Sequence, residues 1–99
     1  MATGIKCELN TTLETEQPKK YKVILLNDNY STVEFVIEIL MKIFKKNIDE
    51  ATEITMSVHE NGRGICGVYS YEIAQTKIAE VRSNARRAEF PLKAIAEAE

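Results

Sequence analysis

The chain has 99 residues, 44% of them hydrophobic, and a formal net charge of −2 at neutral pH. That length and composition suit a single globular domain. The slight acidic balance, with no lysine or arginine run longer than a pair, argues against a surface that tracks a nucleic-acid backbone; no apolar stretch reaches membrane-spanning length, and no apolar signal-peptide core is expected at the start.

Residues 1–19 are rich in Thr, Glu, Asn, Gln and Lys, end near Pro18 and show no apolar periodicity. Such a composition buries too little surface to offset ordering entropy, so a flexible extension over 1–19 and a core over 20–99 are expected. Tyr21–Leu26 reads as a strand. Both alternating faces are largely apolar, which predicts an inner strand covered by helices. Asn27-Asp28-Asn29-Tyr30 is a turn. Ser31 with Glu34 matches a capping box, opening a helix through Lys46 whose stripe is Val33, Val36, Ile37, Leu40, Ile43 and Phe44. Asn47 with Glu50 is a second box, for a helix from Ile48 to Asn61 closed by Gly62.

Gly64–Tyr69 is a short strand, and Ser70 caps a third helix, Tyr71 to about Ala88. Ile73, Ala74, Ile78, Val81 and Ala85 face inward, and Arg82, Arg86 and Arg87 lie in the last turns, where the dipole favours them. Pro91 follows, and Leu92–Ala96 is a third strand. The order β-α-α-β-α-β predicts an α+β domain, a mixed three-stranded sheet packed on helices.

Cys7 and Cys66 are distant in sequence and form no CxxC pair, which argues against a disulfide scaffold or thiolate–metal site and for a reducing intracellular compartment. Cys66, between Ile65 and Gly67-Val68, reads as a small buried apolar residue. An enzyme is not indicated. His59 is the one imidazole, its neighbour Ser57 faces away at i,i+2, and no GxSxG, P-loop or GxGxxG motif occurs. No cofactor or metal is implied.

A polypeptide's α-amino group is an ammonium with three donors, and its recognition needs convergent acceptors. Asn27, Asp28 and His59 supply an amide oxygen, a carboxylate and a neutral imidazole nitrogen. Two other readings stand on the residues alone: turn chemistry for Asn27-Asp28-Asn29, and a helix C-terminal histidine favoured by the dipole for His59.

The blocks Tyr21-Lys22-Val23-Ile24-Leu25-Leu26-Asn27-Asp28 and Val58-His59-Glu60-Asn61-Gly62-Arg63-Gly64-Ile65-Cys66-Gly67-Val68-Tyr69 resemble the ClpS adaptor family. Glu34-Phe35-Val36, Ala51-Thr52, Glu72-Ile73-Ala74, Thr76-Lys77 and Pro91-Leu92 extend the resemblance over residues 21–92. It implies a fold like the C-terminal domain of the ribosomal stalk protein. It also implies a non-catalytic, monomeric adaptor of the bacterial cytoplasm that binds substrates beginning with Leu, Phe, Tyr or Trp and hands them to the ClpA unfoldase of the ClpP peptidase. A fold-sharing interaction domain without an amino-acid pocket is the alternative.

By position, the resemblance puts Asn27, Asp28 and His59 on the α-amino group and Asn29, Ser31 and Thr32 at the substrate backbone. It puts Val33, Val36, Thr55, Val58 and Leu92 around an apolar pocket, Glu72 and Lys77 at the unfoldase N-domain, and gives the extension a part in the hand-off. Four positions depart from the commonest family pattern: Asn29 for Asp, Thr32 for Pro, and Val33 and Thr55 for Met. The last two predict a shorter, stiffer wall, a roomier mouth and better tolerance of β-branched first residues.

Overall fold

The computed structural model describes residues 19–99, and the expectation for residues 1–18 lies outside them. The elements are β1 (Lys20–Leu26), α1 (Val33–Lys42), α2 (Ile48–Asn61), β2 (Arg63–Ser70), α3 (Tyr71–Ala88) and β3 (Lys93–Ala98). The sheet has the order β2-β1-β3, and both neighbours run antiparallel to β1. The mixed sheet expected from the element order is thereby corrected. β2 and β3 are parallel and joined by the single helix α3, but β1 lies between them, so no parallel pair forms.

Val23, Ile24 and Leu25 are fully buried. Val23 and Leu25 face the helices and form the core with Val36, Ile39 and Leu40 of α1, Ala51 and Val58 of α2, and Ala74, Val81 and Ala85 of α3. Ile24 points to the opposite face, in register with Ile65 and Ile95. Its apolar character comes from flanking isoleucines rather than from a second helical layer. The register shifts between Val23 and Ile24, which leaves Cys66 as the extra residue of β2, a bulge in an edge strand. Burial pushes its thiol up to about 12, so Cys66 acts as a small apolar residue and not as a nucleophile.

Thr32, not Ser31, caps α1, its hydroxyl accepting from Phe35 N at 3.1 Å. Ser31 is unavailable because both its amide and its hydroxyl donate to Asp28. The helix stops at Lys42 rather than Lys46. Lys45 takes a left-handed φ of 58°, and Lys46 N donates back to Leu40 O at 3.1 Å, the wrap-around end that closes many helices. Ile43 and Phe44 still reach the core.

The capping box of Asn47 and Glu50 is present, and Gly62 ends α2 at φ 86°. Ser70 caps α3 as expected. Ile73 is half exposed, since it sits about 100° around the helix from the stripe of Ala74, Ile78, Val81 and Ala85.

Gly64 lets β2 lie close against α2. A Cβ there would stand 2.8 Å from Val58 Cγ2 and 2.9 Å from the backbone oxygen of Ile54. Because a helix carbonyl cannot move aside cheaply, Gly64→Ala is expected to lower stability by about 1–3 kcal/mol. An unchanged denaturation midpoint would show that α2 and β2 separate without strain.

Candidate functional site

The end of β1 and the end of α2 are tied together. Asn27 N donates to Gly62 O at 3.0 Å, and Gly62 N donates to Val58 O at 3.0 Å. The glycine cap of α2 therefore fixes where the chain leaves β1, and it brings His59, in the last turn of α2, beside Asn27 and Asp28.

Asp28 organises the loop that follows. Its Oδ1 accepts from Tyr30 N at 2.7 Å and Ser31 N at 2.6 Å, and its Oδ2 accepts from Ser31 Oγ at 2.8 Å. Burial pushes the carboxyl pKa up. The Ser31 and Tyr30 amides, the Ser31 hydroxyl and the charge of protonated His59 outweigh that, and the net shift is downward from the ordinary 3.8. Asp28 is thus a turn-former that keeps its charge, and hydrogen bonds to a carboxylate are roughly twice as strong as neutral ones.

Around this corner lies a small cavity lined by Leu26, Asn27, Asp28, Ser31, Val36, Thr55, Val58, His59 and Leu92. Thr55, Val58 and His59 share one face of α2 by their i,i+3 and i,i+4 spacing. Val36 comes from α1, and Leu92 from the turn before β3. Thr55 is buried, and its hydroxyl donates to Ala51 O at 2.7 Å, so its polar atom is satisfied within the helix.

The cavity encloses only about 10 Å3, which holds roughly one water. The roomy mouth expected from short side chains is not found in this conformation. Shorter side chains let the walls approach as easily as they leave space.

Beside it, and sharing Leu26, Asn27 and Asp28 with it, a wider hollow of about 380 Å3 is also lined by Asn29, Tyr30, Pro91 and Lys93. Of the residues named from sequence, the small cavity gathers Asn27, Asp28, Ser31, Val36, Thr55, Val58, His59 and Leu92. It does not gather Asn29, which lines the wider hollow. Thr32 is spent on capping α1, and Val33 is 42% exposed and absent from the lining. Leu26 also lines the cavity, and nothing in the sequence marks it, since it ends an apolar strand and carries no polar group.

Glu72 and Lys77 lie on α3, apart from this cavity. Glu72 is exposed. Lys77 Nζ donates to Ile43 O at 2.8 Å and stands 5.8 Å from the centre of the Tyr69 ring, so it caps the C-terminus of α1. Among the described residues no cluster of His, Cys, Asp and Glu is arranged to hold a metal, and no helix is long and apolar enough to cross a membrane.

Residues 16–95 match the model of the family described as ATP-dependent Clp protease adaptor protein ClpS. The chain is 49% identical to the ClpS adapter of Wolinella succinogenes, over 96% of this chain and 93% of that protein. It is 51% identical to the ClpS adapter of Maricaulis maris, over 97% and 88%. The structure of Agrobacterium tumefaciens ClpS2 bound to L-phenylalaninamide superposes with a TM-score of 0.81 at 37% identity, covering 84% of this chain and all of that one.

The fold and these relatives define a small adaptor for an ATP-dependent protease. The chain belongs to the ClpS family of Clp protease adaptors, and its partners are components and substrates of that protease.

Proposed function

We propose that this chain binds the free α-amino group and bulky apolar side chain of substrates beginning with Leu, Phe, Tyr or Trp, and delivers them to a ClpA-type unfoldase in the bacterial cytoplasm. The observation that carries this is one cavity whose lining joins Asn27, Asp28 and His59 with Val36, Thr55, Val58 and Leu92. An ammonium needs the first set, and an aliphatic or aromatic side chain gains from burial against the second. The ClpS2 relative holds L-phenylalaninamide, which carries both a free α-amino group and an aromatic side chain.

In this proposal Asn27, Asp28 and His59 accept from the ammonium, while Asn29, Ser31 and Thr32 meet the first peptide units. Glu72 and Lys77 belong to the face that meets the unfoldase. Entry of a side chain requires the cavity to widen from about 10 Å3, since a benzene-sized group needs on the order of 150 Å3.

Removing the imidazole tests the acceptor role of His59. His59→Phe keeps a flat ring but offers no acceptor, so binding of a Leu-initiated peptide at constant pH is expected to weaken roughly tenfold or more, in line with the ~1.5–3 kcal/mol of a charged hydrogen bond. Unchanged affinity, with the fold intact, rules out His59 as an acceptor.

A further inference from the structure

Leu92 belongs to two hollows. It closes the small cavity, and it also lines a groove of about 480 Å3 between α3 and β3. Pro91 and Lys93 are shared in turn between this groove and the 380 Å3 hollow beside the β1–α1 loop. A surface path therefore leads from the amino-group corner, around Pro91 and Lys93, into the groove.

The groove has an apolar floor, including Ile78, Ala85 and Ala94, and a cationic rim of Arg82, Arg86 and Lys93. None of its lining residues is acidic, and among the described residues none of these three cations is in an ion pair. That concentration of positive charge runs against a chain whose net charge is −2. Arg82 and Arg86 are four apart and lie one above the other on α3, with Lys93 across from them at the start of β3. β3 is an edge strand, so a row of its main-chain donors and acceptors is open to an added extended chain.

We infer that this groove receives an acidic, extended stretch of the substrate polypeptide, a few residues beyond the first residue seated at Asn27, Asp28 and His59. The inference rests on the amino-group reading above and adds a second determinant to it. Among substrates with the same first residue, those followed by Asp or Glu at the right distance are held longer.

The test uses the full chain and Leu-initiated peptides labelled at their C-termini, read by fluorescence anisotropy. A short glutamate block is stepped along the peptide, with glutamine in its place as the control. At low salt one register is expected to bind roughly fivefold tighter than its glutamine control, with the difference erased by salt. Arg82→Gln with Arg86→Gln, and separately Lys93→Gln, are expected to remove that preference and leave the glutamine peptide bound as before.

Equal affinity for both peptides at every register overturns the inference. So do substitutions that weaken both peptides alike, or that alter only self-association of the chain. An acetylated first residue separates the two readings. If the free peptides depend on the amine but show no glutamate preference, the groove alone is refuted. If acetylated peptides bind as tightly as free ones, with the glutamate preference intact, the amino-group reading fails, and the placement of the acidic stretch behind a seated first residue fails with it.

Discussion

Asp28→Ala is expected to weaken binding of a Leu-initiated peptide by roughly 30- to 100-fold while the domain stays folded. The carboxylate holds Tyr30 and Ser31 through three short hydrogen bonds and faces the cavity that His59 also lines. Alanine removes an ionic acceptor for the ammonium, worth about 1.5–3 kcal/mol as a charged hydrogen bond. It also frees the loop that shapes the rim. The Tyr30 amide is exposed and water can replace its partner, so the loss falls more on binding than on folding. Asp28→Asn keeps the shape and one oxygen and should lie between the two. Affinity for Asp28→Ala within about twofold of wild type would leave Asp28 with turn formation alone.

Leu92→Ala should act on both stability and selectivity. Leu92 is buried in the core and lines the small cavity, so truncation is expected to cost about 2–5 kcal/mol in chemical denaturation. It also removes part of the wall that holds the cavity near 10 Å3. In the folded fraction, a Phe-initiated peptide should gain on a Leu-initiated one, by an amount in line with the ~1–3 kcal/mol that a methylene-scale change makes in an apolar pocket. Unchanged stability and an unchanged Phe-to-Leu ratio would place Leu92 outside both the core and the pocket wall.

Those two residues also mark what sequence can and cannot reveal here. The box at Asn47 and Glu50 and the glycine end at Gly62 were legible because each is a local contact with few alternatives. The first helix was harder. Ser31 and Thr32 are both good caps, and the choice between them turned on Asp28, which claims the Ser31 amide and hydroxyl in the turn. The end of that helix was set by a left-handed Lys45, a conformation that lysine side chains do not advertise.

Element order alone does not tell which strand sits in the middle, so it suggests a mixed sheet where an antiparallel one forms. The apolar Ile24 looked like evidence of a second helical layer, whereas Ile65 and Ile95 flank it within the sheet.

On the residues alone neither half of the candidate site is legible: Asn27, Asp28 and His59 also read as turn and helix-end chemistry, and Val36, Thr55, Val58 and Leu92 look like any core residues. Only the family resemblance names both halves, because their gathering depends on the fold. Lys77 shows the reverse: a lysine expected at a docking surface also holds the Ile43 carbonyl. Any substitution there perturbs the end of α1, whatever its effect at a docking surface.

The central claim is that the free amine is what Asn27, Asp28 and His59 recognise. The most direct measurement is a titration of this chain with a labelled Phe- or Leu-initiated peptide and with the same peptide acetylated at its N-terminus. Acetylation removes the ammonium's charge and two of its three donors, and binding is expected to fall at least about a hundredfold, in keeping with the ~1.5–3 kcal/mol per charged hydrogen bond. Equal binding of the two peptides would contradict the account and favour an interaction domain that does not read the N-terminus.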